Sequence, residues 1–155
     1  MASREAKYPN TDSFYYYNAN PKGRITGDCR IRALAVATEI PYNEIVRALA
    51  DIHIETGWDQ TAQDGINIYL NRIGWGKHKQ PRHADNTKYT GKQFIDWLNR
   101  EYPNGEIGGV VAKIGTHHMV AINRVKHWDG KMRYKVIDIW NSTNGCIGNW
   151  WTADP

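Results

Sequence analysis

The chain of 155 residues is long enough for one folded domain, and its 41% of hydrophobic residues, with seven tryptophans, exclude a disordered protein. The formal charge is +4, but no basic run of five or more residues occurs, so a nucleic-acid partner is not expected. No apolar run approaches the ~20 residues that span a bilayer. The N-terminal residues lack an apolar signal segment, so we expect a cytoplasmic protein without membrane contact.

Helical patterns fill the first two-thirds of the chain, after an N-terminal segment, residues 1–25, that is predicted to be irregular. Within that segment the run Phe14-Tyr15-Tyr16-Tyr17 has strand-like composition. Asp28 is the candidate N-cap of the first helix, and Pro41 ends that helix. Thr90 is the candidate N-cap of the last helix. The predicted helices cover residues 29–39, 42–51, 62–72 and 91–101.

The rest of the chain is rich in Val and Ile and is predicted to form strands. Asp129-Gly130 lies in the segment 127–133, which has the composition of a hairpin connection. The predicted strands cover residues 108–114, 118–125, 132–139 and 146–152. Helices followed by an antiparallel sheet indicate an α+β fold, in a single domain of residues 1–155.

The chain has two cysteines, Cys29 and Cys146, too few for a disulfide-stapled secreted scaffold. A free cysteine is most often a small buried apolar residue, and this interpretation fits Cys146. Cys29 differs, because Thr26-Gly27-Asp28 delivers it to the predicted start of a helix. Unpaired N–H groups and the positive end of the helix dipole favour a thiolate there and suit an oxyanion. Cys29 is therefore a candidate nucleophile, with simple packing at a helix start as the alternative.

Two adjacent histidines, His117 and His118, stand at the start of the predicted strand 118–125. Neighbouring strand residues point to opposite faces, so only one of the two histidines can face Cys29. Alternation does not choose between them, because each shares a face with apolar residues of the strand. The other histidine is expected to be structural or exposed.

An acidic residue, Asp138, ends the next predicted strand. If the two strands pair through the Asp129-Gly130 hairpin, Asp138 comes beside the histidine and orients its imidazole, as the third member of a catalytic triad does. Asn141 is the alternative third member. The competing interpretations are a strand-end turn residue for Asp138 and a turn former for Asn141.

Three motifs, taken in order, resemble the papain-like cysteine peptidase superfamily, and in particular its small, phage-encoded members. They are Gly27-Asp28-Cys29-x-x-Arg32-Ala33-Leu34, His118-Met119-Val120-Ala121 and Asp138-Ile139-Trp140-Asn141-Ser142, and they span residues 27–142. The resemblance implies a papain-like fold, in which the nucleophile lies on a central helix that precedes an antiparallel sheet. It implies neither a cofactor nor a metal.

The resemblance also assigns roles, with Cys29 as nucleophile, His118 as general base and Asp138 as the orienting acid. Members of the family often carry a glutamine about six residues before the nucleophile as an oxyanion donor, but this chain has Gly23 there. Asn18 or Asn20 is the candidate replacement, with the backbone N–H of Cys29 as the second donor.

The implied activity is that of a cysteine peptidase or isopeptidase, which cleaves an amide bond of a peptide or protein substrate through an acyl-enzyme. The alternatives are an acyltransferase or transglutaminase-like enzyme, and a catalytically idle binding protein with the same fold. Metal or nucleic-acid binding through His78 and His83, around the basic segment 77–82, is not expected because the spacing matches no zinc pattern.

Overall fold

A computed structural model describes residues 3–153 and shows a mixed α+β fold of five helices and six strands. The helices are α1 (Arg4–Lys7), α2 (Cys29–Thr38), α3 (Tyr42–Thr56), α4 (Gln63–Arg72) and α5 (Gly91–Glu101). The strands are β1 (Phe14–Tyr16), β2 (Gly76–His78), β3 (Val110–Ile114), β4 (His118–Lys126), β5 (Met132–Asp138) and β6 (Ile147–Thr152). The α+β class is thus confirmed.

The six strands form one sheet in the order β1-β5-β4-β3-β6-β2. Strands β4 and β5 pair through the hairpin around Gly130, whose φ of 82° is one that glycine adopts without strain. The sheet is mixed rather than antiparallel as expected, because β1 runs parallel to β5. This pairing joins the N-terminal segment to the strand that ends in Asp138.

Both faces of the sheet are covered, which gives three layers. Helices α2, α3 and α4 pack on one face against Val111, Met119, Ala121 and Trp151. Helix α5 packs on the other face through Phe94, Ile95 and Leu98, against the alternate residues of the same strands. The alternation of side chains along a strand explains this division, because successive residues of β3 and β4 enter different cores.

Helix α2 lies against β4, the second inner strand from the β1 edge, and is buried along most of its length. It ends where Glu39 adopts the left-handed conformation, two residues before Pro41. Near that end Asn123 Nδ2 donates a 3.0 Å hydrogen bond to the Val36 carbonyl. Gly109 also permits close approach there, because a Cβ on Gly109 would overlap with the Ala37 carbonyl oxygen.

Two local predictions have different outcomes. Thr90 caps α5 through a reciprocal capping box with Gln93, as its sequence position predicts. Asp28 occupies the N-cap position of α2, as predicted, but its side chain makes no capping hydrogen bond. The physical reason is that buried partners take its carboxylate instead.

Two parts of the sheet differ from the expectation. The segment 1–25, expected to be irregular, contains α1 and the sheet strand β1 within its described residues. The sequence also gave no signal for β2, a three-residue strand that pairs with β6 and lies between α4 and α5. A strand of three residues is too short to show an alternation of polar and apolar residues. Its place in the sheet depends on the strand with which it pairs.

Replacement of Gly109 tests how closely α2 approaches β3. We expect Gly109→Ala to lower the free energy of unfolding by about 1–3 kcal/mol, because the new methyl group has no room against the Ala37 carbonyl. Urea unfolding followed by tryptophan fluorescence measures this change. Gly27→Ala is the control, since a Cβ at Gly27 meets no atom within 4 Å; equal losses in the two variants would contradict the packing argument.

Candidate active site

Cys29 begins α2, and His118 begins β4, so the packing of this helix on this strand brings the two side chains together. The His118 side chain and the backbone N–H of Met119 lie beside the Cys29 sulfur, where both lower the pKa of the thiol. The thiol is partly buried and is not in a disulfide. A cysteine sulfur beside two such groups is placed to carry negative charge.

Asp138 lies on the other side of the His118 ring. Its Oδ2 is 2.6 Å from His118 Nε2, and the Asp138 side chain is only 2% exposed. Because this contact occupies Nε2, the ring nitrogen left for Cys29 is Nδ1. The three side chains therefore lie in the order Cys29–His118–Asp138, with a hydrogen bond between His118 and Asp138 and with the Cys29 sulfur beside the other side of the imidazole.

The second carboxylate oxygen of Asp138 is also fully engaged. Oδ1 accepts 2.6 Å from Arg32 Nη1 and 2.7 Å from the backbone N–H of Ile139. These contacts hold the carboxylate in one orientation, with Oδ2 directed at His118. Asp138 is thus held by groups from α2 and from the loop that follows its own strand.

Arg32 joins Asp138 to a second buried carboxylate on its own helix. Its Nε lies 2.8 Å from Asp28 Oδ1, and the Arg32 side chain is 6% exposed. The other oxygen of Asp28 accepts from the Tyr42 hydroxyl at 2.6 Å and from Asn20 Nδ2 at 3.0 Å. A charged network of Asp28, Arg32 and Asp138, which we call the carboxylate bridge, therefore lies directly behind the Cys29–His118 pair.

The sequence predicted that Asp28 caps α2, and it predicted no role for Arg32. One signal was available: Asp28 and Arg32 are four residues apart, the spacing of a helical ion pair, in a helix whose other buried positions are apolar. That the same guanidinium also binds Asp138, 106 residues away, has no local sequence signal.

The surroundings shift the pKa of both members of the pair. Burial raises the pKa of Cys29, but the hydrogen bonds from His118 and Met119, with the charges of His118 and Arg30, outweigh it, so the net pKa is below the usual value. Burial lowers the pKa of His118, but Asp138 and Cys29 outweigh it and raise that pKa to about 9. His118 is therefore protonated at neutral pH, and the pair favours a thiolate beside an imidazolium.

The carboxylate of Asp28 is held in its ionised form. Burial raises its pKa, but the hydrogen bonds from Tyr42, Arg32 and Asn20 outweigh burial and place the pKa below the usual value. Its ionised form therefore stabilises the fold above the ordinary carboxyl pKa, and this contribution is lost as the pH falls through the lowered value.

The remaining predicted residues lie around this centre rather than in it. His117 is exposed in the turn between β3 and β4. Asn18 donates to the Arg24 carbonyl, and Asn20 donates to Asp28 as described above. Asn141 accepts from the N–H and hydroxyl of Thr143, so its side-chain oxygen closes a turn. Cys146 is exposed after that turn, so its interpretation as a buried apolar residue is wrong.

A cleft of about 480 Å³ opens beside His118. Its walls are the β3–β4 turn, with Ile114, and the loop after β5, with Trp140. The Trp140 ring lies 4.8 Å from the His118 ring, centroid to centroid, and covers the imidazole from that side. We call this cavity the Trp140 cleft. Its wall includes His118, on the side of the imidazole where Trp140 lies, and does not include Cys29.

The histidines of the basic segment have structural contacts of their own. His78 stacks on Trp150 and lies 2.8 Å from the Thr152 hydroxyl. His83 stacks on Tyr89 and lies 3.0 Å from Gln93 Oε1. Among residues 3–153, no three or more His, Cys, Asp or Glu side chains are grouped to hold a metal ion. Within the same range, no helix has the length and apolar character that crossing a membrane requires.

Comparison with protein-family models, with curated proteins and with solved structures finds no match to this chain. The resemblance to papain-like peptidases therefore stays a prediction that rests on the three motifs. The geometry of the Cys29–His118–Asp138 arrangement is an independent observation.

Replacement of Arg32 should destabilise the fold, because two buried carboxylates would lose the cation that they share. We expect Arg32→Met to lower the free energy of unfolding by about 3–5 kcal/mol. Arg72→Met is the matched control, since Arg72 binds Glu55 at 2.7 Å on the surface, where both side chains are about half exposed. That variant should lose less than about 1 kcal/mol. Urea unfolding at pH 7 measures both, and similar losses would show that the carboxylate bridge contributes no more than a surface ion pair.

Proposed function

We propose that this protein is a cysteine-dependent hydrolase that cleaves an amide bond, as a peptidase or an isopeptidase, through an acyl-enzyme on Cys29. The observation that supports it most is the Cys29–His118–Asp138 arrangement, in which His118 lies between the Cys29 thiol and the buried Asp138 carboxylate. A cysteine whose only role is packing needs neither an imidazole on its sulfur nor a buried carboxylate behind that imidazole.

The proposed reaction has two steps. The Cys29 thiolate attacks the carbonyl carbon, a C–S bond forms and the oxygen becomes an oxyanion. The C–N bond then breaks as the His118 imidazolium gives its proton to the departing amine. In the second step His118 takes a proton from water, which attacks the thioester. The C–S bond breaks, the carboxylic acid leaves, and the thiolate–imidazolium pair is restored.

The oxyanion is assigned to the N-terminus of α2. The Asp28 side chain does not cap this helix, so the first-turn N–H groups, including that of Cys29, are not occupied by it. The positive end of the helix dipole adds to their effect. Asn20, a candidate replacement for the glutamine of the family, directs its amide to Asp28 and Tyr42, which makes it a support for the α2 start.

The Trp140 cleft is assigned to the part of the substrate that leaves first. His118 donates the proton to the departing amine, so the departing segment must lie on the histidine side of the pair. The cleft lies on that side, and its walls are largely apolar, with Ile114 and Trp140. An apolar side chain next to the cleaved bond is the expected occupant.

The pH dependence of alkylation tests the activated pair. Cys29 should react with iodoacetamide below pH 7 faster than Cys146 does, because the pKa of Cys29 is lowered. In His118→Ala we expect labelling of Cys29 at pH 6.5 to fall by roughly tenfold or more, since a thiol of pKa ~8.5 is only about 1% ionised there. Mass spectrometry distinguishes the two cysteines.

The neighbouring histidine is the control for this measurement. His117→Ala should label as the wild-type protein does, because His117 is exposed in the turn. An unchanged Cys29 profile in His118→Ala would refute the activated pair and would favour a binding protein without catalysis. A loss in His117→Ala alone would transfer the role to that histidine.

Turnover variants test the hydrolase directly. With a pool of internally quenched peptides, Cys29→Ala should abolish cleavage, and His118→Ala should reduce kcat/KM by about a hundredfold or more. His117→Ala should keep most of the activity. Near-UV circular dichroism shows whether each variant is folded, and unfolding of Cys29→Ala would instead indicate a structural cysteine.

A further inference from the structure

A second recess adjoins the Trp140 cleft at Gly115. Gly115 belongs to the walls of both cavities, and the recess beyond it measures about 230 Å³. Its other walls are Gln80, Lys113, Gly148 and Asn149, all of them polar or without a side chain. A substrate segment that leaves the apolar cleft on this side therefore meets a polar, charged environment.

The charge of this recess is positive. Lys113 forms part of its wall, and no carboxylate does. Gln80, in the opposite wall, accepts 3.1 Å from Arg82 Nη2, which adds a second cation close by. Within residues 3–153 neither Lys113 nor Arg82 takes part in an ion pair. With no acidic partner among the described residues, these cations can be approached by an acidic group of a ligand at little cost.

The backbone keeps the recess open. A Cβ on Gly148 would lie 3.2 Å from the Cβ of Lys113, so any other residue there would fill the space beside the lysine. The pairing of β3 with β6 is irregular between Ala112 and Ile114, so Lys113 has no paired residue in β6. Asn149 accepts from the Gln80 N–H through Oδ1, and its Nδ2 is a second donor beside Lys113.

A third cavity adjoins the Trp140 cleft at Asn141. It measures about 340 Å³ and contains Asp12, Asp96 and Lys92, and Lys135 Nζ donates a 2.7 Å hydrogen bond to the Thr11 carbonyl in its wall. Two carboxylates and two cations leave this cavity without an excess of positive charge. An acidic substrate residue is therefore favoured in the Lys113 recess over the cavity at Asn141.

We propose that the Lys113 recess binds a carboxylate side chain of a polypeptide substrate, located in the departing segment beyond the residue that occupies the Trp140 cleft. The proposal rests on the proposed function for the identity of the departing segment. The substrate class is an extended polypeptide in which an apolar residue next to the cleaved bond is followed by Asp or Glu.

A protection assay measures this binding without requiring turnover. Blocked peptide pools with an apolar residue and then Glu, Gln or Lys are added while iodoacetamide labels Cys29 at pH 7. In the wild-type protein, the Glu pool should give half-protection at a concentration about three- to tenfold lower than the Gln pool, and the Lys pool should protect least. Raising NaCl to about 0.5 M should shrink the difference, because salt screens exposed charges.

Variants connect the preference to the recess. Lys113→Met removes the charge at nearly constant length and should make the Glu and Gln pools equal, whereas Lys113→Arg should keep the preference. Lys126→Met is the control, because Lys126 is exposed at the far end of β4 from His118. It should behave as the wild-type protein.

Several results would overturn the proposal: equal protection by the Glu and Gln pools in the wild-type protein, a preference that persists in Lys113→Met, or no protection by any pool. Equal protection by inorganic phosphate at the same concentration would also overturn it, by showing an unselective anion site.

Cleavage of the same pools is measured separately. Charge-selective protection without cleavage would refute the hydrolase and retain the Lys113 recess as a peptide-binding site.

Discussion

The site depends on one buried cation, the guanidinium of Arg32. It lies between Asp28 and Asp138 at 2.8 and 2.6 Å, and all three side chains are almost completely excluded from water. Burying these charges carries a desolvation cost, which is offset because each carboxylate also has partners besides Arg32: Tyr42 and Asn20 for Asp28, and His118 and the Ile139 N–H for Asp138. The carboxylate bridge therefore tolerates few arrangements, and it sets the position of α2 relative to the end of β5.

The same bridge links the two halves of the reactive pair. Cys29 is one residue from Asp28 on α2, and His118 is hydrogen-bonded to Asp138, so both reactive side chains are attached to opposite ends of the Asp28–Arg32–Asp138 network. Asp138 is shared: one oxygen faces Arg32 and the other faces His118. A shift of α2 along β4 would strain both contacts together, so stability and the alignment of Cys29 with His118 are physically coupled in this protein.

Much of the secondary structure agrees with what the local sequence patterns predict. The helix predicted over residues 91–101 has those bounds, because Thr90 and Gln93 form a capping box and Phe94, Ile95 and Leu98 make an apolar face. The strand predicted at Asp138 and the hairpin around Gly130 also formed as expected. β1 falls in the Phe14–Tyr17 run, whose composition is strand-like, but neither its parallel pairing with β5 nor the strand β2 was predicted. Both strands have three residues, and their place in the sheet comes from β5 and β6. The Asp28 side chain makes no capping hydrogen bond because Arg32, Tyr42 and Asn20 together bind its carboxylate more favourably than the helix N-terminus does.

By itself the sequence determined which reactive groups exist and where each stands in its own element: a cysteine that opens a helix, two histidines that open a strand and an acid that ends the next one. These follow from local signals, which act over a few residues. Strand alternation left His117 and His118 open, and the motif resemblance favoured His118. The tertiary structure places His118 beside Cys29 and Asp138, and it alone decided that Arg32 joins Asp28 to Asp138. The physical reason is that such choices depend on how α2 packs on β4, and contacts between residues about 90 or more positions apart leave no pattern in either segment alone.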